Sequence, residues 1–432
     1  MTSFTATVNT APKRFPLFLV GVLTAAAFGP YVTGNIRTEQ LAVYGAAAVL
    51  LPFTVAFTRP YIPVILPWSG LILASVMGLI PPTAHSSNYP PANMLSSIDN
   101  LFLPLVVMLL VWSVVPVSMA ARALHLAAAA VAVGAALNGV LGIIGTRMDL
   151  SGYLRIFWGG GGGEGETTAE RAAELGRLSG IFNQPAEAGV VYGMAGILAV
   201  WRFRRRPKMM VLILTLICIG GLLCVSKVFI FGGLPLILGY VWVSRTGARK
   251  LWALFSAAVA AAGVAQSGFL QQWTGFNYLA RLFVPAENQG LVEFYSAGRW
   301  NAEAAMLDVF EAVFRTRALL GFGLGGLGVS YDSAWTEAVV LAGVAGLVLL
   351  AFVYLGLWWM ARRIEDAGVR MLGIFITLFL AGASLGIPSL TVNRASTIVW
   401  VVLALLGLMA KQARTERPSD HAASPAKCRR ES

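Results

Sequence analysis

Charge is sparse in this sequence. Only 12% of its 432 residues are Asp, Glu, Lys or Arg, against roughly 25% in an ordinary soluble domain, so an ion-rich soluble surface is excluded. Cysteine is scarcer still. Cys218 and Cys224 share one apolar window and Cys428 lies in the tail, which gives neither a disulfide framework nor a metal set. The histidines are His85, His125 and His421, and no cluster of His, Cys and acidic residues has metal-ligand spacing. Gly321, Gly323 and Gly326 formally satisfy GxGxxG, but no strand precedes them and no Lys-Ser or Lys-Thr accompanies them; close helix packing or a tight re-entry into a membrane accounts for them better than a nucleotide. The net charge of +12 is spread in short runs between apolar windows, so no polar face tracks phosphates and nucleic acid is excluded as a partner.

What remains is hydrocarbon. Hydrophobic residues make up 57% of the chain, in windows at about 15–31, 41–57, 61–80, 101–119, 123–145, 186–201, 209–225, 228–243, 251–268, 334–358, 369–386 and 395–410. Most approach the roughly 20 residues that cross about 30 Å as a helix. The reading is an all-α, polytopic inner-membrane protein with about 12 transmembrane helices and large outward-facing loops. The first window lacks a small-residue cleavage pattern and is read as a permanent helix. Residues 1–410 then form one transmembrane domain, with outer loops at 146–185 and 269–333 and a disordered cytoplasmic tail at 411–432. Pro63, Pro67, Pro104, Pro116 and Pro235 are positioned to kink or shorten individual spans.

Alternate connections carry the basic residues, among them Lys13, Arg14, Arg59, Arg122, Arg202, Arg204, Arg205, Arg206, Lys208, Arg245, Arg249, Lys250, Arg362, Arg363 and Arg370. Basic loops stay in the cytoplasm, so both termini are expected there, in a bacterial inner membrane, and the longer, more acidic connections face outward. Of these, residues 81–100 are rich in Pro and Ser. Residues 146–185 contain Tyr153, Arg155, Phe157 and Trp158, read as an interfacial anchor, then a flexible run of five glycines at 159–163 and an acidic helix-like segment. The third outer stretch, 281–337, gathers four arginines and seven carboxylates and includes an amphipathic segment at 302–315 in which Glu311 and Arg315 stand four apart. At the outer helix ends lie Arg177, Glu187, Lys227, Asp332, Glu337 and Arg394, a set of cations and carboxylates suited to an anionic, hydroxylated lipid head group.

Three motifs add a resemblance. RLSGIFNQPAEAG at 177–189, CVSKVFIFGG at 224–233, and GRWNAEAAMLDVFEAVFRTRALLGFGLG at 298–325 followed by DSAWTEAVVLAGVAGL at 332–347 resemble the O-antigen polymerase and ligase superfamily of bacterial envelope polysaccharide assembly. The first motif looks like the family's arginine and Asn-Pro entry to a central span, although Gln184 separates Asn183 from Pro185; in the second, Lys227 stands in place of an arginine. The resemblance implies transfer of glycan from an undecaprenyl-pyrophosphate carrier at the outer membrane face. The family's ligases have a histidine near Tyr331 or Asp332 and this chain has none there, which favours a repeat-unit polymerase over a ligase.

A sugar pyrophosphate is already an activated leaving group, so arginines that stabilise the departing charge suffice and no cofactor or metal is expected. On this reading Arg177, Arg299 and Lys227 hold pyrophosphate, Arg281 and Arg394 stand behind them, and Glu187 or Asp332, with Glu337 in reserve, orients the acceptor hydroxyl or takes its proton. Asn183 belongs to the substrate-binding set through its motif. Expected partners are the lipid-linked glycan, membrane lipids, and polysaccharide chain-length and export machinery. A polytopic transporter or a structural partner of the assembly complex is the alternative from another class.

Overall fold

The computed structural model describes residues 14–33, 36–54, 61–80, 91–159, 167–244, 273–282, 305–326 and 332–415. Outside them lie Arg299, the glycines at 160–163, the apolar window at 251–268 and the residues beyond 415. In chain order the elements are α1 (Phe15–Ala26), β1 (Tyr31–Thr33), β2 (Ile36–Arg37), α2 (Thr38–Thr54), α3 (Ile62–Met77), α4 (Pro91–Val114), α5 (Ala120–Gly145), α6 (Ser151–Trp158), α7 (Thr168–Glu174), α8 (Pro185–Phe203) and α9 (Pro207–Leu223). A π turn (Val228–Gly233) follows, then α10 (Leu234–Val243), α11 (Gly275–Arg281), α12 (Ala305–Arg317), a short 3-10 turn (Gly323–Gly326), α13 (Ala334–Arg362), α14 (Ala367–Ala383) and α15 (Asn393–Thr415). The two strands pair antiparallel.

The twelve-span expectation does not stand. Among the described residues four helices are long and apolar enough to cross a membrane, at Met94–Val114, Val117–Gly145, Ala334–Arg362 and Asn393–Ala410, consistent with a multi-pass membrane protein. In some other windows hydropathy runs on where the helix stops. Window 15–31 holds a helix of only 12 residues that gives way to β1, and window 61–80 holds one of 16 residues. The 228–243 window divides into a six-residue π turn and a ten-residue helix.

The core surrounds α8, which is buried along nearly its whole length. It starts with Pro185 at a position where the missing N–H costs nothing, and carries Glu187 in its first turn, where the helix dipole favours a carboxylate. Small residues along it admit close neighbours; at Gly193 any β-carbon would sit 2.3 Å from the Phe379 ring of α14. Indole N–H groups tie other helices together, with Trp112 of α4 donating to Ala404 O of α15 at 2.9 Å, while Trp68 of α3 meets Trp400 of α15 edge-on at 4.9 Å. The amphipathic segment expected at 302–315 is α12, where Val313 packs with Phe322, Val339 and Val340 of neighbouring segments, and Glu311 pairs with Arg315 on its exposed side.

Candidate functional site

At the end of the bundle where α8 begins, two charged regions lie back to back. The first is a buried lattice. Glu187 accepts from the Arg394 backbone N–H at 3.0 Å and from the Asn183 N–H at 3.3 Å. The Arg394 guanidinium, 1% exposed, donates to Ile181 O at 2.8 Å and Phe157 O at 2.5 Å and stands 5.1 Å from the centre of the Tyr31 ring. The hairpin brings Arg37 alongside. Its guanidinium donates to Asp99 at 2.8 Å and to Asn393 Oδ1 at 3.3 Å and lies 3.2 Å from Glu39, while Gln40 and Tyr44 also donate to Asp99 at 2.6 and 2.7 Å. Burial pushes the Glu39 carboxyl up to about 7, outweighing the pull of Arg37. Arg37, Glu39, Glu187 and Arg394 are buried, with Asp99 half-buried and Tyr44 exposed at the margin, and together these groups hold the hairpin, α4, α8 and α15 in register.

The second region is a half-open cleft of about 680 Å³ whose lining includes Arg147, Asp149, Arg155, Glu170 and Glu174, with apolar Leu141, Met148 and Leu154. Its walls come from α6 and α7. A capping box starts α7, since Thr167 accepts from the Glu170 N–H and the Glu170 carboxylate accepts from the Thr167 N–H; that backbone bond holds the Glu170 carboxyl below its usual range. The Ser151 side chain and N–H do the same for Asp149, so both are anionic at neutral pH. Arg155 lies 3.5 Å from Glu170. The floor is pinned by Asn138, whose Nδ2 donates to Ser179 O at 3.1 Å and whose Oδ1 accepts from the Ile181 N–H at 2.8 Å. Between them Gly180 has φ +62°, and a β-carbon there would fall 2.0 Å from Asn138 Oδ1, so no other residue fits. Trp158, expected as an interfacial anchor, is buried and donates to Gly180 O at 2.8 Å; Tyr153, 78% exposed, is the aromatic that meets the surroundings.

The expected site residues are therefore divided. Glu187, Asn183 and Arg394 come together, but in the buried lattice. Arg177 is half-buried and its Nη2 reaches Val225 O at 3.4 Å, on the turn that carries Lys227, while its successors Leu178, Ser179 and Gly180 line the cleft. Asp332 is exposed, and Glu337 is buried against Thr391. Arg281 ends α11, and Trp273 just before that helix donates to Gly176 O at 2.6 Å, placing the helix beside the Arg177 loop. Arg299 lies outside the described residues. Sequence reasoning missed Arg37, Glu39 and Asp99, and the cleft residues Arg147, Asp149, Glu170 and Glu174. The Thr167 to Glu170 spacing was the one available local signal.

No protein-family model matches this chain, and no curated protein matches it. The resemblance to the O-antigen polymerase and ligase superfamily thus rests on its motifs alone. The polymerase and ligase assignments are withdrawn, because that family's many-span bundle is absent and four candidate spans stand in its place among the described residues.

Proposed function

We propose that the chain is a glycosyltransferase of the bacterial cytoplasmic membrane that receives a glycan carried on a lipid pyrophosphate in the cleft between α6 and α7. The observation that supports this reading is the lining of the cleft: two arginines, three carboxylates and a leucine- and methionine-bearing wall in about 680 Å³. Each part has a use. Guanidinium forks grip phosphate oxygens in pairs and stabilise charge as the pyrophosphate departs. A carboxylate orients the acceptor hydroxyl and takes its proton, and the apolar wall receives the first carbons of the lipid.

In this proposal the cleft end faces outward. The 19-residue α8 runs from that end to the exposed Arg204, Arg205 and Arg206, and such basic groups stay on the cytoplasmic side; the proposal assigns both termini to that side as well. Surrounding lipids and polysaccharide assembly machinery are its partners. The test uses purified protein in nanodiscs, with undecaprenyl pyrophosphate as binding probe, an oligosaccharide on that carrier as donor and a soluble oligosaccharide whose hydroxyl accepts the glycan. Saturable binding and release of free carrier are expected, with binding weakened on the order of tenfold by Arg155→Ala, the loss of one charge-assisted contact. A wild-type protein that binds no carrier contradicts the proposal.

A further inference from the structure

The second half of α13 turns one apolar face outward. Val344, Val348, Phe352, Leu355 and Trp359 are exposed, and their spacing of three or four residues sets them in one stripe, while Leu350, Val353, Leu357 and Met360 are buried in the bundle. The stripe ends on Arg362, exposed one turn beyond Trp359. From Val344 to Arg362 it rises about 27 Å, close to the roughly 30 Å of a bilayer's hydrocarbon. A tryptophan followed by basic residues at the end of such a stripe stands at head-group level. Here the Arg363 guanidinium lies over the Trp359 ring, 3.7 Å from its centre, and a guanidinium stacked in this way keeps its N–H edge for phosphate oxygens.

Two connections meet at this end of the bundle, the end of α8 away from the cleft. A β-carbon on Gly368, early in α14, would stand 2.8 Å from Arg204 Nη1 and 3.2 Å from Asp366 Oδ1, so the link from α8 to α9 lies beside the link from α13 to α14. Residues 202–208 carry five basic residues and no carboxylate, and residues 362–370 carry three basic residues with Glu365 and Asp366. Part of this charge holds the fold. Arg202 Nε donates to His125 O at 3.1 Å, Arg370 Nη1 donates to Ile364 O at 3.4 Å, and Asp366 accepts from the Val369 N–H as the cap of α14. Arg205, Arg206, Lys208 and Arg362 stand exposed. An excess of cations next to an outward apolar stripe has a matching ligand, a molecule with an anionic head and hydrocarbon tails.

We infer that this end of the bundle binds one anionic phospholipid, its phosphate held by Arg362 and Arg363 and its acyl chains lying along the α13 stripe. Arg204, Arg205 and Arg206 supply the surrounding positive charge. A zwitterionic lipid brings an ammonium group into the same field, so the site discriminates by net charge. A soluble phosphate has the head without the tails.

The test titrates purified full-length protein in an uncharged detergent with phosphatidylglycerol, phosphatidylcholine and glycerol 3-phosphate, counting bound lipid by native mass spectrometry and following Tm. The expected result is one retained phosphatidylglycerol with a Tm that rises saturably, phosphatidylcholine weaker on the order of tenfold, and no response to glycerol 3-phosphate at the same concentrations. Arg362→Gln combined with Arg363→Gln should raise the phosphatidylglycerol midpoint on the order of tenfold, through lost charge-assisted contacts. Equal binding of the two lipids overturns the inference, as does a midpoint unmoved in that variant. A glycerol 3-phosphate response equal to that of phosphatidylglycerol overturns the assignment to a lipid. Should the double variant fail to fold, Arg205→Gln combined with Arg206→Gln decides: a raised midpoint supports the site, and an unmoved one overturns it.

Discussion

Arg394 meets the short helix α6 from the bundle, and Arg155 belongs to that helix. Arg394 reaches up from the bundle, donates to Phe157 O and is 1% exposed; Arg155, two residues earlier, lines the cleft with half its side chain in the open, 3.5 Å from Glu170. Arg155 is ion-paired with a carboxylate, whereas the Arg394 guanidinium is held by two backbone carbonyls and only its backbone N–H meets Glu187. Desolvation separates their roles, since a buried guanidinium is fixed by the cost of leaving it or its carbonyl partners unmet, whereas an exposed ion pair contributes little to stability and is free to exchange its partner for a ligand.

The sharpest way to break this contrast is Arg394→Ala. It leaves Glu187 buried with less compensating charge and two carbonyls unmet, so a loss of about 3 to 5 kcal/mol is expected in thermal unfolding, with little folded protein recovered. Next comes Glu39→Gln. The Glu39 carboxyl is raised from 4.5 to about 7, so its protonated form suits the fold; its contribution is full below about 4.5 and is lost as pH rises through 7. Wild-type stability should fall across that interval by on the order of 3 kcal/mol, and the Gln variant should lack that part of the slope.

Little of the lattice was legible beforehand. Arg394 and Glu187 are 207 residues apart and Arg37 and Asp99 are 62 apart, so no local pattern marks either pair, and outer-end charges that look available for a ligand turn out to be holding helices together. A helix lies in each apolar window that falls among the described residues, but helix length was not legible, because an apolar window does not show that α1 ends at Ala26 and that β1 begins five residues later. By contrast the Glu311 and Arg315 pair, set by spacing within one helix, could be read directly. The cleft was half visible: Arg155 and Trp158 stood out, but the wall opposite them is brought there by α7 and by the tight turn at Gly180.

That turn yields a smaller effect. Gly180→Ala forces a side chain into positive φ against Asn138 and should cost about 1 to 3 kcal/mol, together with carrier binding, because it moves the cleft floor. Smallest of all is the stability change in Arg155→Ala, expected within about 0.5 kcal/mol of wild type because its ion pair is exposed.

The most direct test of the division between holding and binding is the affinity of Arg155→Ala for undecaprenyl pyrophosphate, measured on protein whose Tm matches wild type. The account predicts affinity reduced on the order of tenfold with Tm unchanged. Wild-type affinity in that variant, with Tm equally unchanged, would contradict the placement of the head group in the cleft.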